Sequence, residues 1–172
     1  MMVSLRRLCL AAGLLLSMPL LAAPPAYQPL VDDLSRVAPT LDPVVLTHAV
    51  AAMQCAVNHG ATPAQRLAVI DFSLPSSERR LWIFDLQRGR LLLKDFVAHG
   101  NGSGENQATR FSNVEGSHQS SLGLFRTAES YSGKHGYSLR MDGLEPGVND
   151  LARERAIVIH PADYVNPAWI AT

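Results

Sequence analysis

After Thr62-Pro63 the chain never again shows a long stretch of helical spacing. Its apolar residues come in short runs instead: Leu67–Phe72, Arg80–Leu86, Arg90–Val97, Tyr137–Met141 and Ala156–His160, with Ser121–Thr127 as a weaker run containing Gly123. Gly, Ser, Asn and Pro separate the runs, so each is too short for an ordinary helix and suits a strand. The second and third flank Gln87-Arg88-Gly89 and predict a β-hairpin turning at Arg88-Gly89. Leu91-Leu92-Leu93 does not alternate, which predicts a strand covered on both faces. His99 to Glu115 is rich in Gly, Asn and Ser and reads as a loop. Asp142-Gly143 reads as a turn, and Asn149 to Arg155 as one or two polar helical turns. No repeat of 20 to 50 residues is visible.

Ahead of this strand-rich part lies one clear helix. Asp42 suits the N-cap, Pro43 the first helical position and Gly60 the position past the end. Between them Val45, Leu46, Ala49, Ala52, Met53, Ala56 and Val57 keep helical spacing. Cys55 lies beside that stripe and reads as a small packing residue. A reactive thiolate needs an electropositive neighbour or a helix N-terminus, and Cys55 is near the C-terminal end. The expected architecture is therefore mainly β, with this helix packed on a β-sandwich or strongly curved sheet. Residues 24–41 read as a polar, Pro-punctuated linker with one short apolar-periodic piece around Leu30 to Val37.

The N-terminus reads as an address. Arg6 and Arg7 precede an apolar run from Leu8 to Met18, Pro19 interrupts it, and Leu20-Leu21-Ala22-Ala23 follows. A positive start, a short apolar core and small residues describe a secretory signal peptide over residues 1–23, too short and too broken for a membrane span. The expectation is export to the periplasm or cell envelope, with no stable span after cleavage. Cys9 leaves with that segment, so Cys55 has no internal disulfide partner. The chain has 15 basic and 15 acidic residues for a net charge of +0. No block of five like charges occurs, which argues against a nucleic-acid partner.

Six histidines are the candidates for chemistry: His48, His59, His99, His118, His135 and His160. His48 and His59 belong to the helix and its end. His99 and His160 each end an apolar run, where side chains face the loops that carry function. No HExxH and no His/Cys pair at ligand spacing appears, so neither a metal nor a cofactor is called for. There is no GxSxG elbow. Gly100-Asn101-Gly102-Ser103-Gly104 matches a phosphate loop in composition only, because the Gly-Lys-Ser/Thr ending is missing.

Five stretches carry a resemblance. They are Val97-Ala98-His99-Gly100-Asn101-Gly102-Ser103-Gly104 with Ala108 to Asn113; Ser120 to Thr127; Tyr131-Ser132-Gly133-Lys134-His135-Gly136-Tyr137-Ser138-Leu139; Asp142-Gly143-Leu144-Glu145; and Arg155 to Val165. In order and spacing, from about Leu41 to Thr172, they resemble the murein L,D-transpeptidase catalytic-domain family of the YkuD-like superfamily. The resemblance implies a β-sandwich with a cysteine active site that acts on peptidoglycan stem peptides. In such an enzyme a thiolate attacks the carbonyl between diaminopimelate and a terminal D-Ala, D-Ala leaves, and a second amine takes the acyl group.

His160 matches the family histidine that ends a strand and serves as base to the thiol. Pro161 stands where many relatives have Gly. His99 with Gly100, and His135 with Gly136 and Tyr137, are expected to line a substrate groove without a chemical step of their own. The family's Gly-Arg-Ser-x-Gly-Cys-Pro type motif has no counterpart here. Residues 42–172 are therefore expected to be a catalytic domain incomplete at its C-terminus, with exposed Trp169 and Ile170 and a partly uncovered Val158 strand. Two readings stand: an L,D-transpeptidase inactive as this chain, or a non-catalytic exported domain that binds peptidoglycan. A histidine-based metal hydrolase is weaker than either.

Overall fold

The computed structural model describes residues 25–170, with side chains through residue 168. The signal segment over 1–23 and the side chains of residues 169 and 170, for which exposure was expected, lie outside the described residues. Two helices come first, α1 (Gln28–Val37) and α2 (Pro43–Asn58). Strands β1 (Arg66–Ile70), β2 (Leu81–Asp85) and β3 (Arg90–Asp95) follow, then β4 (Phe125–Gly133), β5 (Gly136–Gly143) and β6 (Val158–Ile159), and a short α3 (Pro167–Ile170). The strands form two antiparallel sheets, ordered β1-β2-β3 and β4-β5-β6. The domain is mainly β with N-terminal helices, as the strand-length runs require.

The Asp42 carboxylate accepts from the Val44 N–H at 2.7 Å and caps α2, while Gly60 takes φ 95° past its end. Leu46 and Val50 bury the inward stripe of α2. Cys55, expected to pack, is exposed instead, with its Sγ 3.7 Å from His59 Nδ1. It lies two positions beyond the inward-facing Met53, which in a helix places it on a different face. The segment read as a linker over 24–41 carries α1. Val31, Leu34, Ala38 and Leu41 from it join Leu46, Val50, Leu67, Val69, Trp82 and Phe84 in the core. The short periodic piece around Leu30 to Val37 is thus an amphipathic helix whose apolar side closes one face of the first sheet.

In that sheet β1 alternates strictly, Leu67 and Val69 inward and Arg66, Ala68 and Ile70 outward. Central β2 carries the two largest aromatic side chains of the core, Trp82 and Phe84, both fully buried. The β2–β3 hairpin turns with Gly89 at φ 57°. The expectation that β3 is covered on both faces is corrected. β3 is an edge strand, and Leu92 and Leu93 are exposed. Ile83 pairs with Leu93 but Phe84 with Leu91, so Leu92 is the extra residue of a bulge. The bulge shifts the side-chain phase of β3, which is why three consecutive leucines do not imply two covered faces.

The second sheet holds the hairpin that sequence patterning placed only in part. β4 starts at Phe125, not Ser121, and runs to Gly133; Gly123, at φ 99°, precedes it. The turn is Lys134-His135, with Gly133 paired to Gly136, so Asp142-Gly143 ends β5 and makes no turn. Gly136 at φ 86° supplies the backbone conformation. β4 and β5 read weakly because their outward positions are polar or small. Their outer face is laced by charge. Arg153 binds Glu129 at 2.7 Å and Asp142 at 2.6 Å, Arg126 binds Asp142 at 3.1 Å, and Arg140 lies 3.3 Å from Glu129. Hydrogen bonds from Arg153 hold both carboxyls below their ordinary range, and Arg126 adds to the effect at Asp142.

Trp82 is fully buried in the core that residues of both helices share with the first sheet. Trp82→Ala is expected to cost about 3–5 kcal/mol, the usual range for emptying a buried aromatic site. Leu92→Ala, on the bulged edge, is expected to cost under about 1 kcal/mol, the scale of a substitution away from the core. Urea unfolding of the two variants checks the difference.

Candidate active site

Three pieces of chain outside the sheets come together: the Gly-rich segment after β3, a loop from Ser112 to Ser121, and the approach to β6. These three pieces line a cleft of about 860 Å³ whose walls include His99, Gly100, His118, Arg155, His160 and Tyr164. His99 and His160, which end different apolar runs, therefore meet in one concavity.

Two glycines permit the close approach of the first two pieces. A Cβ on Gly100 would lie 2.4 Å from the His118 carbonyl oxygen, and one on Gly102 2.4 Å from that of Ser117. Either contact is with backbone, so nothing flexible can yield. Fully buried Ser103 sits at the junction, its hydroxyl accepting from the Ser120 N–H at 2.9 Å. Ser120 Oγ in turn accepts from the Gly100 N–H at 2.9 Å, and the Gly102 N–H donates to the His118 carbonyl at 2.9 Å. Those amides are engaged, so Gly100 and Gly102 shape the wall and are not free donors for a developing oxyanion.

Arg155 holds the loop from the other side. Its guanidinium donates to the Ser112 carbonyl, Ser121 Oγ, Ser117 Oγ at 3.1 Å and the Gln119 carbonyl at 2.6 Å. Motif reasoning had placed Arg155 in a family-like stretch without giving it a role. The clue was a single arginine directly before an apolar run, a residue that must find many acceptors when it turns inward. His118 and Ala156, both at φ 54°, are the two non-glycine residues in left-handed conformation among those described, and both line the cleft. Such conformations persist only where surrounding contacts over-determine them.

His99 is fixed at both nitrogens. Arg80 Nη2 donates to its Nδ1 at 2.7 Å, and its Nε2 lies 3.1 Å from the Gly104 carbonyl. The acceptor role of Nδ1 places the ring proton on Nε2, so this imidazole has no lone pair left for a substrate. Arg80 itself is buried; it also donates to the Val97 and Leu74 carbonyls and lies 5.1 Å over the Phe72 ring. Burial lowers its pKa from the usual arginine value, and the nearby Asp71 carboxylate opposes that shift.

His160 is arranged the opposite way. Its Nδ1 lies 2.8 Å from the Pro161 carbonyl, an atom that only accepts, so Nδ1 carries the proton and Nε2 the lone pair. β6 carries the residue here through two pairings with β5, Leu139 with Ile159 and Arg140 with Val158. β6 is shorter than the run Ala156–His160 implied, because Ala156 turns out of the sheet at φ 54°. Of the residues expected in the groove, His99 and Gly100 line the cleft with His160. His135 lies against His160, ring centroids 4.5 Å apart and planes 26° from parallel. A Cβ on Gly136 would rest 3.6 Å from Pro161 Cγ. Tyr137 is 72% exposed and does not line the cleft. Cys55, in α2, is not part of it either. No group of three or more His, Cys, Asp or Glu among the described residues is placed to hold a metal ion.

Gly102→Ala is expected to push the Ser117–His118 backbone away and to cost about 1–3 kcal/mol, as overpacking does. Thermal unfolding reads the loss, and displaced amide resonances of Ser103, His118 and Ser120 locate it.

Comparison with known proteins places the chain in a family. No curated protein and no solved structure matches the chain. A family model described as L,D-transpeptidase catalytic domain matches residues 37–172, from the end of α1 through the cleft and beyond His160. The chain therefore belongs to the L,D-transpeptidase catalytic-domain family.

Proposed function

We propose that this protein engages peptidoglycan stem peptides in the cleft lined by the Gly-rich segment, the 112–121 loop and the residues around β6, and that His160 is the base of a cysteine acyl-transfer centre of the L,D-transpeptidase kind. The observation that carries the reading is the arrangement of His160: Nδ1 committed to the Pro161 carbonyl, the lone pair left on Nε2, at the wall of a cleft of about 860 Å³. In the reaction the family carries out, a thiol gives its proton to such a nitrogen while sulfur attacks the diaminopimelate carbonyl. The C–N bond to D-Ala then breaks, and the leaving amine takes the proton back. Thioester formation and its aminolysis both need one imidazole that alternates between base and acid. Glu115 and Glu154 on the cleft wall give an acceptor ammonium a counter-charge.

The 172 residues hold Cys9 and Cys55 and no cysteine after His160. We therefore propose that the 172-residue polypeptide binds stem peptides but forms no thioester. Removing one member of a unit that works together abolishes most of the rate. The alternative reading, a binding domain without catalysis, makes the same statement about this polypeptide. The two part company over a chain continued through a Ser-x-Gly-Cys-Pro segment, which acylates only if His160 is the base.

Two measurements test the proposal. Titration with a diaminopimelate-containing tetrapeptide is expected to shift resonances of Gly100, His118, Gln119 and His160. Mass spectrometry after incubation with a carbapenem, which acylates the family's cysteine, is expected to show no adduct on the 172-residue polypeptide and one on the continued chain. An adduct on Cys55, or no response of the cleft to the peptide, overturns it. Export is part of the same proposal: the Arg6-Arg7 start and the broken apolar run support cleavage near Ala23. Intact-mass analysis of protein recovered from the cell envelope is expected to show the first 23 residues removed, and retention of Met1 counts against it. No helix among the described residues is long and apolar enough to cross a membrane.

A further inference from the structure

We infer that His135 is a positioning residue for His160, acting through ring stacking from the tip of the β4–β5 hairpin. The inference rests on the reading of His160 as a base. The torsion that sets an imidazole plane is broad, with no staggered well deep enough to hold it. The hydrogen bond from Nδ1 to the Pro161 carbonyl fixes one ring atom at 2.8 Å but leaves the plane free to swing about that contact. The His135 ring supplies the second constraint, its centroid 4.5 Å away and its plane within 26° of parallel. An edge contact and a face contact together fix both the tautomer and the direction of Nε2.

The hairpin is built to deliver that ring. Lys134-His135 is a two-residue turn between Gly133 and Gly136, and Gly136 adopts φ 86°. The second strand of the hairpin, β5, is the central strand of its sheet and is bonded to β6 immediately before His160. Gly136 also lies over Pro161, the residue whose carbonyl holds Nδ1. The turn thus covers both residues that define the ring's position. His135 is exposed and makes no hydrogen bond among the described residues, so its contact with His160 is the role the structure assigns to it.

The test uses the chain labelled with 15N in histidine, with His135→Phe and His135→Ala beside the wild type. Imidazole 15N shifts report the tautomer of neutral His160. The wild type and His135→Phe, which keeps a stacking face, are expected to hold the Nδ1–H form. His135→Ala is expected to lose that preference and relax toward a mixture of tautomers, while amide shifts of β4 and β5 away from the turn stay in place. An unchanged His160 tautomer in His135→Ala, or its loss in a folded His135→Phe, overturns the positioning role. Failure of the tetrapeptide to bind the wild type overturns the functional reading instead, and the tautomer result is independent of it.

Discussion

A buried guanidinium joins the first sheet to the wall of the cleft. Arg80 stands at the head of β2, the central strand of the first sheet, and spends its donors on the Leu74 and Val97 carbonyls and on His99. Those partners lie before β2, after β3 and at the lip of the cleft. A cation taken out of water is tolerated only with its hydrogen bonds satisfied and a counter-charge near by. Asp71 supplies the charge without direct contact, since its Oδ1 accepts from the Ser73 N–H and hydroxyl. The first sheet therefore does not simply sit beside the cleft. The side chain at the head of its central strand also selects the His99 tautomer.

The two histidines that end apolar runs show how environment divides one residue type into two roles. His99 is spoken for at both nitrogens by an arginine and a carbonyl. His160 is held at one nitrogen by the next residue's carbonyl and by a stacked ring, and its other nitrogen stays basic. The difference lies in the neighbours, not in position along a strand. It could not be read from two histidines that each follow Val, Ala or Ile.

What was legible in the sequence follows the same logic. α2 announced itself because its cap, first-turn proline and closing glycine are local chemistry. β1 and β2 were legible because each buries aliphatic or aromatic side chains in the core, and β3 because it follows the Gly89 turn, though its bulge and exposed leucines were not. The β4–β5 hairpin was half seen: its exposed face is held by Arg126, Arg140 and Arg153 against Glu129 and Asp142, and charge ladders carry no apolar period. α1 reads as a linker because its polar face and flanking prolines outweigh a stripe of four apolar residues. His160 stood out through family motifs. The clamp of Arg155 and the interlock of Ser103 with Ser120 did not, because pairings across 34 to 43 positions or 17 positions leave no trace in local pattern.

The bulge at Leu92 has a consequence for how copies of this chain behave beside one another. A straight outer strand with its amides free invites a second strand to continue the sheet. Here the pairing phase breaks between Ile83 and Phe84, and the strand twists at its most apolar point. Lys94 then follows, anchored to Thr40 at 2.8 Å and poised over the Trp82 ring. A visiting strand meets a kink and then a charge where it needs a ruled line. The greasiest rim of the first sheet thereby offers a second strand a poor template for continuing the ladder.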